Sequence, residues 1–139
     1  MTRTPRSRTS RQRRATGSTV CRVVTVDDVR QFARTLPRSS EHLIRDRVKF
    51  RVGKIVYVAF SRDESLMGFG FPKEERAALV AAEPAKFLLP RESDLRFHWV
   101  EARTAAIDVT EMRELVLEAW RMCVPRKVRL EQELAAGRH

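Results

Sequence analysis

Residues 47–60 constrain this chain more than any other stretch. In Arg47-Val-Lys-Phe-Arg-Val52 apolar and basic residues alternate strictly. Val48, Phe50 and Val52 therefore share one face of a strand, and Arg47, Lys49 and Arg51 the other. Gly53-Lys54 supplies a two-residue turn whose glycine is free to take positive φ. Ile55-Val-Tyr-Val-Ala-Phe60 follows, apolar on both faces, as an interior strand reads. Arg62-Asp-Glu-Ser65 is a second turn, and Leu66 to Phe71 is a third strand in which Gly68 and Gly70 alternate. The expected unit is an antiparallel three-stranded meander with one apolar face to cover.

The flanking segments supply the cover. Thr25-Val-Asp-Asp28 predicts a helix start, with a Thr cap and two carboxylates near the positive end of the dipole. Val26, Val29, Phe32, Ala33 and Leu36 continue it at helical spacing to Pro37. Pro72 opens a second helix, with Glu74 and Glu75 in its first turn, and Ala77, Ala78, Leu79, Val80 and Ala82 carry it to Pro84. Phe87, Leu88 and Leu89 tether a loop. Leu95-Arg-Phe-His-Trp-Val-Glu101 alternates as a fourth strand, with Arg96 and His98 on the face opposite Phe97 and Trp99. Asp108-x-x-Glu111 caps a third helix. Its stripe of Met112, Leu115, Val116, Ala119, Trp120 and Cys123 faces the core, and Pro125 interrupts it. Trp99 and Trp120 both read as core. The expected order is α-β-β-β-α-β-α, an α+β fold with helices on one face of an antiparallel sheet of four strands or more and the other face partly open.

Charge divides the chain. The excess of Lys and Arg over Asp and Glu is ten, and seven of those charges fall in residues 1–22, as Arg3, Arg6, Arg8, Arg11, Arg13, Arg14 and Arg22, with no acid among them. So few apolar side chains cannot offset ordering entropy, so residues 1–22 are expected to form a disordered arm. Residues 23–129 form a single domain, and 130–139 a tail with a short helical turn through Leu130 and Leu134. No apolar stretch follows the basic residues to make a secretory signal, and no run is long enough to span a membrane. Cys21 and Cys123 stand far apart without metal or redox spacing, as in a cytoplasmic protein with reduced thiols.

The familiar catalytic constellations are missing. The three histidines, His42, His98 and His139, are neither spaced i,i+4 nor near a cysteine, so no metal site is expected. Gly68-Phe-Gly70 lacks the third glycine and the lysine of a nucleotide cradle, and reads as two small residues in a strand. Cys123 lies on an apolar stripe. Asp63-Glu64 and Glu74-Glu75 are adjacent surface carboxylates. No enzyme activity and no cofactor are expected.

Basic charge on a sheet face remains. Arg47, Lys49 and Arg51, with Lys54 at the hairpin tip and Arg96 and His98 on the fourth strand, form a surface that could neutralise phosphates. Arg11, Arg13 and Arg14 of the arm would strengthen attraction for any polyanion. The expected function is nucleic-acid binding, DNA foremost, with low sequence preference. The alternative is an adaptor that docks an acidic protein where Val56, Val58 and Phe60 adjoin the basic residues.

Several segments also resemble one family. Phe50-Arg-Val-Gly-Lys-Ile55, Lys73-Glu-Glu-Arg-Ala-Ala-Leu-Val-Ala-Ala-Glu-Pro84, His98-Trp99-Val100 and Glu114-Leu-Val-Leu-Glu-Ala-Trp-Arg121 are similar, in this order, to motifs of the YjbR/MmcQ-like family. The resemblance covers roughly residues 24–129. Phe71 stands where that family often carries a capping Ser or Asp. The resemblance implies a compact domain laid out like frataxin, with a double-wing motif and DNA as its presumed ligand. Frataxin-like iron handling is not expected, because helix one mixes Asp27 and Asp28 with Arg30 and Arg34 and the sheet is basic.

Overall fold

The structure, a computed structural model, describes residues 23–136. They form α1 (Val26–Ala33), β1 (Ser39–Ile44), β2 (Arg47–Val52), β3 (Ile55–Phe60), β4 (Leu66–Gly70), α2 (Arg76–Ala82), β5 (Phe87–Leu88), β6 (Trp99–Arg103), α3 (Val109–Arg121) and α4 (Arg126–Ala136). The strands make one antiparallel sheet in the order β1-β2-β3-β4-β6-β5. This is the expected α+β class, with a strand added at each edge.

One face of the sheet is dry. Phe50, Val58, Phe69 and Val100 lie side by side across β2, β3, β4 and β6, and Phe60, Met67, Ala102 and Phe87 form the neighbouring row. None of the eight is more than 1% exposed. They share one core with Val26, Val29 and Ala33 of α1 and with Met112, Val116, Ala119 and Trp120 of α3. Both helices start as their sequences dictate. Thr25 and Asp28 form a reciprocal capping box, and Asp108 Oδ1 accepts from the Glu111 N–H at 2.7 Å. The Trp120 indole is fully buried, and its Nε1 donates to the Pro37 carbonyl at 2.9 Å, tying α3 to the turn after α1.

The edge strand β1 runs through a segment to which the sequence pattern assigned no element. Ser39-Ser-Glu-His-Leu-Ile44 has little β-branched or aromatic content, and its turn into β2 lacks glycine. Arg45 and Asp46 nonetheless take φ of 53° and 66°, the two positive values of a tight hairpin turn usually carried by Asn-Gly. Tertiary contacts supply what propensity does not. The Arg30 guanidinium of α1 grips the Glu41 carboxylate through two bonds of 2.8 Å, and that bond holds the Glu41 carboxyl below its ordinary pKa. The opposite edge, β5, is only two residues long and was expected as loop.

Three other expectations change. The fourth strand covers Trp99–Arg103 rather than 95–101, since Glu92–Asp94 forms a turn of 3-10 helix and the segment after it does not pair. The second helix begins at Arg76 rather than Pro72. It has no side-chain cap, as the missing Ser or Asp at position 71 would suggest, and it buries no residue completely. Residues 130–136 continue α4, which anchors itself through Val128.

Because Trp120 is enclosed on every side, Trp120→Ala should cost about 3–5 kcal/mol, measurable by urea unfolding. Near-wild-type stability would show that the α3 stripe does not seal the core.

Candidate functional site

The second face of the sheet carries the residues that alternate with the core rows. Lys49, Ala59, Gly68, Glu101 and Leu88 stand in register across β2, β3, β4, β6 and β5. The middle of this row has a methyl group at Ala59 and no side chain at Gly68. The sheet is therefore hollow there, and a cavity of about 770 Å³ opens onto it, lined by Arg47, Lys49, Val56, Trp99 and Glu101 among others. β3 and β4 pair only where Val58–Phe60 meets Met67–Phe69. Beyond that, Val56 and Gly70 line the cavity together with Met122 and Cys123 from the end of α3.

A one-residue bulge sorts β3 between the faces. Phe50 pairs with Val58 but Arg51 with Val56, so Tyr57 is extra, and Tyr57 and Val58 are both fully buried. The Tyr57 hydroxyl is hydrogen-bonded to Ser39 Oγ, and burial pushes its pKa up to about 12. Of Val56, Val58 and Phe60, expected together on the open face, only Val56 lies there. Val58 and Phe60 belong to the core because the bulge shifts the alternation.

Trp99 is corrected in the opposite sense. It lies on the open face, in register with Gly70, while its neighbours Val100 and Ala102 are buried. A late strand start inverts the expected parity, because a one-residue change moves every side chain to the other face. A Cβ at Gly68 would fall 2.6–2.8 Å from three atoms of the indole. The indole therefore packs directly on the backbone at this point, and only glycine at 68 lets it do so.

The turn before β6 forms the rim and is held by one arginine. Arg76 Nη1 donates to the carbonyls of Phe97 at 2.8 Å and Trp99 at 3.3 Å, and Nη2 donates to the Leu95 carbonyl. Phe97 stays half exposed, with the Arg96 guanidinium 4.7 Å from its ring centre. Arg96 and His98 thus sit on this turn, not on a strand. His98 Nδ1 accepts the Lys73 N–H at 3.0 Å, and its ring reaches the cavity edge. Arg47 and Lys49 line the cavity and make no side-chain hydrogen bond or ion pair among the described residues. Arg51 shares their strand face but turns toward β1, where its Nη2 lies 3.3 Å from the His42 ring nitrogens. Lys54 is exposed in the hairpin turn and does not line the cavity. Arg11, Arg13 and Arg14 lie outside the described residues.

Three charged residues of the site escaped the sequence reading. Arg91 and Asp94 both line the cavity and pair with each other at 3.1 Å. Glu101 sits half-buried in the floor, with no hydrogen bond among the described residues. Burial pushes its carboxyl above the ordinary carboxylate value; Asp94 adds to this, while Arg91 and Arg47 oppose it. The alternation of Gly68 and Gly70 was the available signal, since small residues within a strand mark a place where something else approaches the backbone. Burial also pushes the Cys123 thiol up, away from nucleophilic reactivity. Among the described residues no group of His, Cys, Asp and Glu could hold a metal ion, and no helix is long and apolar enough to cross a membrane.

A helix-backed antiparallel sheet with a hollow basic face defines the class of domain. The sequence profile of the YjbR family matches residues 34–122, well over half of the chain, and the chain belongs to that family. The fold is also similar to the crystal structure of Deinococcus radiodurans protein DR2400, which carries the domain DUF419. The TM-score is 0.63 at 20% identity, over 78% of this chain and 88% of that one. No curated protein matches the chain.

The raised Glu101 carboxyl has a consequence for stability. Its protonated form suits the fold, so its contribution is complete below the ordinary carboxylate value and is lost as pH rises through the raised one. Glu101→Gln should therefore melt above wild type at neutral pH, and the gap should close below about pH 4. A lower melting temperature at neutral pH would mean that Arg47 and Arg91 outweigh the desolvation.

Proposed function

We propose that this chain is a non-enzymatic nucleic-acid-binding module that lays a strand across the hollow face of its sheet. The observation that carries this reading is the grouping of Arg47 and Lys49, which form no ion pair among the described residues, with Trp99 and Phe97 around one cavity. Cations beside accessible aromatic rings meet the two needs of an unpaired strand, phosphate neutralisation and base stacking. A rigid duplex would touch the rim but could not fill the hollow. Arg51 extends the basic row at the β2 end, Arg91 lies at the β6 side of the cavity, and the arginines of residues 1–22 add attraction without specificity. Phosphate contacts position a strand without reading it, so sequence preference should be low across most of the site.

An adaptor for an acidic protein is the second reading. It draws on exposed Ile55, Phe97 and Met122, which lie close to the same cations. It is weaker now that Val58 and Phe60 belong to the core, because the apolar residues left are scattered rather than contiguous.

The two readings separate in a salt titration. Each phosphate contact on a single strand contributes about 0.7 to the slope of log affinity against log salt. Arg47→Ala, Lys49→Ala and Arg51→Ala together should flatten that slope by about two units, in a variant that still melts cooperatively, since the three side chains are half-buried on the open face and lie outside the core. Absence of wild-type binding at low salt would end the nucleic-acid reading in favour of the adaptor. An unchanged slope in the triple variant would show that the sheet face takes no part.

A further inference from the structure

The hollow face has a chemistry more specific than phosphate attraction. Between Lys49 on β2 and Glu101 on β6 lie only Ala59 and Gly68, so two charges of opposite sign flank small residues, against which the Trp99 indole packs. At about 4.8 Å per strand the two Cα atoms are roughly 14 Å apart, a span that one nucleotide bridges once both side chains reach inward. The Trp99 indole packs against Gly68 and also lines the cavity, so part of the ring meets the backbone and part is left for a planar group. Glu101 offers two carboxylate oxygens in the floor and has no donor among the described residues. A half-buried acceptor of this kind costs stability unless a ligand supplies N–H groups.

The bases differ sharply in what they can offer such a carboxylate. Adenine and cytosine each place one amino group beside a ring-nitrogen acceptor, which would repel the second oxygen. Thymine and uracil flank a single N–H with two carbonyls. Guanine alone has an adjacent ring N–H and amino group, two parallel donors for two oxygens. Those donors are occupied in a Watson–Crick pair, so the base must be unpaired.

We propose that the cavity holds one unpaired guanine of a bound strand, stacked on Trp99, with its Watson–Crick edge on Glu101 and its flanking phosphates on Arg47 and Lys49. This assignment rests on the nucleic-acid reading and adds one base-specific position to it. Glu101 is then a specificity residue, and Trp99 contributes to affinity for any base.

The test compares a short oligothymidine strand, the same strand with one central guanine, and that strand with hypoxanthine in place of guanine, all at fixed low salt. Hypoxanthine keeps the ring N–H and loses only the amino group. Wild type should bind the guanine strand about tenfold more tightly than the thymine strand, in line with a good bidentate base contact. The hypoxanthine strand should fall most of the way back. Glu101→Gln should abolish the guanine preference and retain thymine-strand binding, and Trp99→Ala should weaken all three strands. Equal affinity of wild type for the three strands overturns the guanine assignment and leaves the nucleic-acid reading standing. Failure of every strand to bind overturns both. A guanine preference that survives in Glu101→Gln removes Glu101 from the site. Guanosine monophosphate alone should bind far more weakly than the strand; if it binds as tightly, the flanking phosphates contribute nothing and the strand assignment fails.

Discussion

The burial of one sheet face under α1 and α3 is the constraint from which the other features follow. Two cross-strand rows, Phe50–Val58–Phe69–Val100 and Phe60–Met67–Ala102–Phe87, are removed from water together. Each large side chain so enclosed contributes about 1.5–3 kcal/mol. Once these rows are fixed, strand alternation leaves no freedom on the other side: Lys49, Ala59, Gly68 and Glu101 must face outward. Among the described residues that face is left open as a cavity, so large apolar residues there would expose a patch. Small and charged residues avoid this, and the hollow results directly from that requirement. Trp99 is the exception, tolerated because Gly68 gives the indole a backbone surface to lie on.

Much of this was legible in the sequence wherever local pattern and tertiary burial agree. The hairpin of β2 and β3 announces itself through strict alternation and the Gly53 turn, whose φ of 60° confirms why glycine stands there. Thr25 and Asp108 cap the helices that they precede, and the α3 stripe carries Met112, Val116, Ala119 and Trp120 into the core. The order of motifs also pointed to the YjbR family, which the profile match bears out. The edge strands were not legible. β1 depends on Arg30 gripping Glu41 and on a positive-φ turn without glycine, and neither leaves a mark in hydrophobic pattern.

The site was legible only strand by strand. Arg47, Lys49 and Arg51 share a face by alternation alone, and the structure keeps them there. Glu101 could not be linked to Lys49 from the sequence, because three separate registers across four strands bring them into one row. The faces of β6 were inverted for a related reason. Phe97 and Trp99 look like core residues by size, yet the smaller Val100 and Ala102 fill the space beneath α3. Lys54 and Arg96 carry the right charge in positions that the cavity does not reach.

A carboxylate that costs stability, a glycine that admits an indole and two cations that form no ion pair among the described residues converge on one hollow. Natural folds tolerate such local cost at sites of function. The most direct measurement is a map of backbone amide shifts in the full chain as a short guanine-containing single strand is added. The account predicts the largest changes at Lys49, Ala59, Gly68 and Glu101 and at the Trp99 indole N–H, with Val29, Met112 and Val116 beneath the sheet unmoved. Changes confined to residues 1–22 or to α4, with none in β3, β4 or β6, would contradict it.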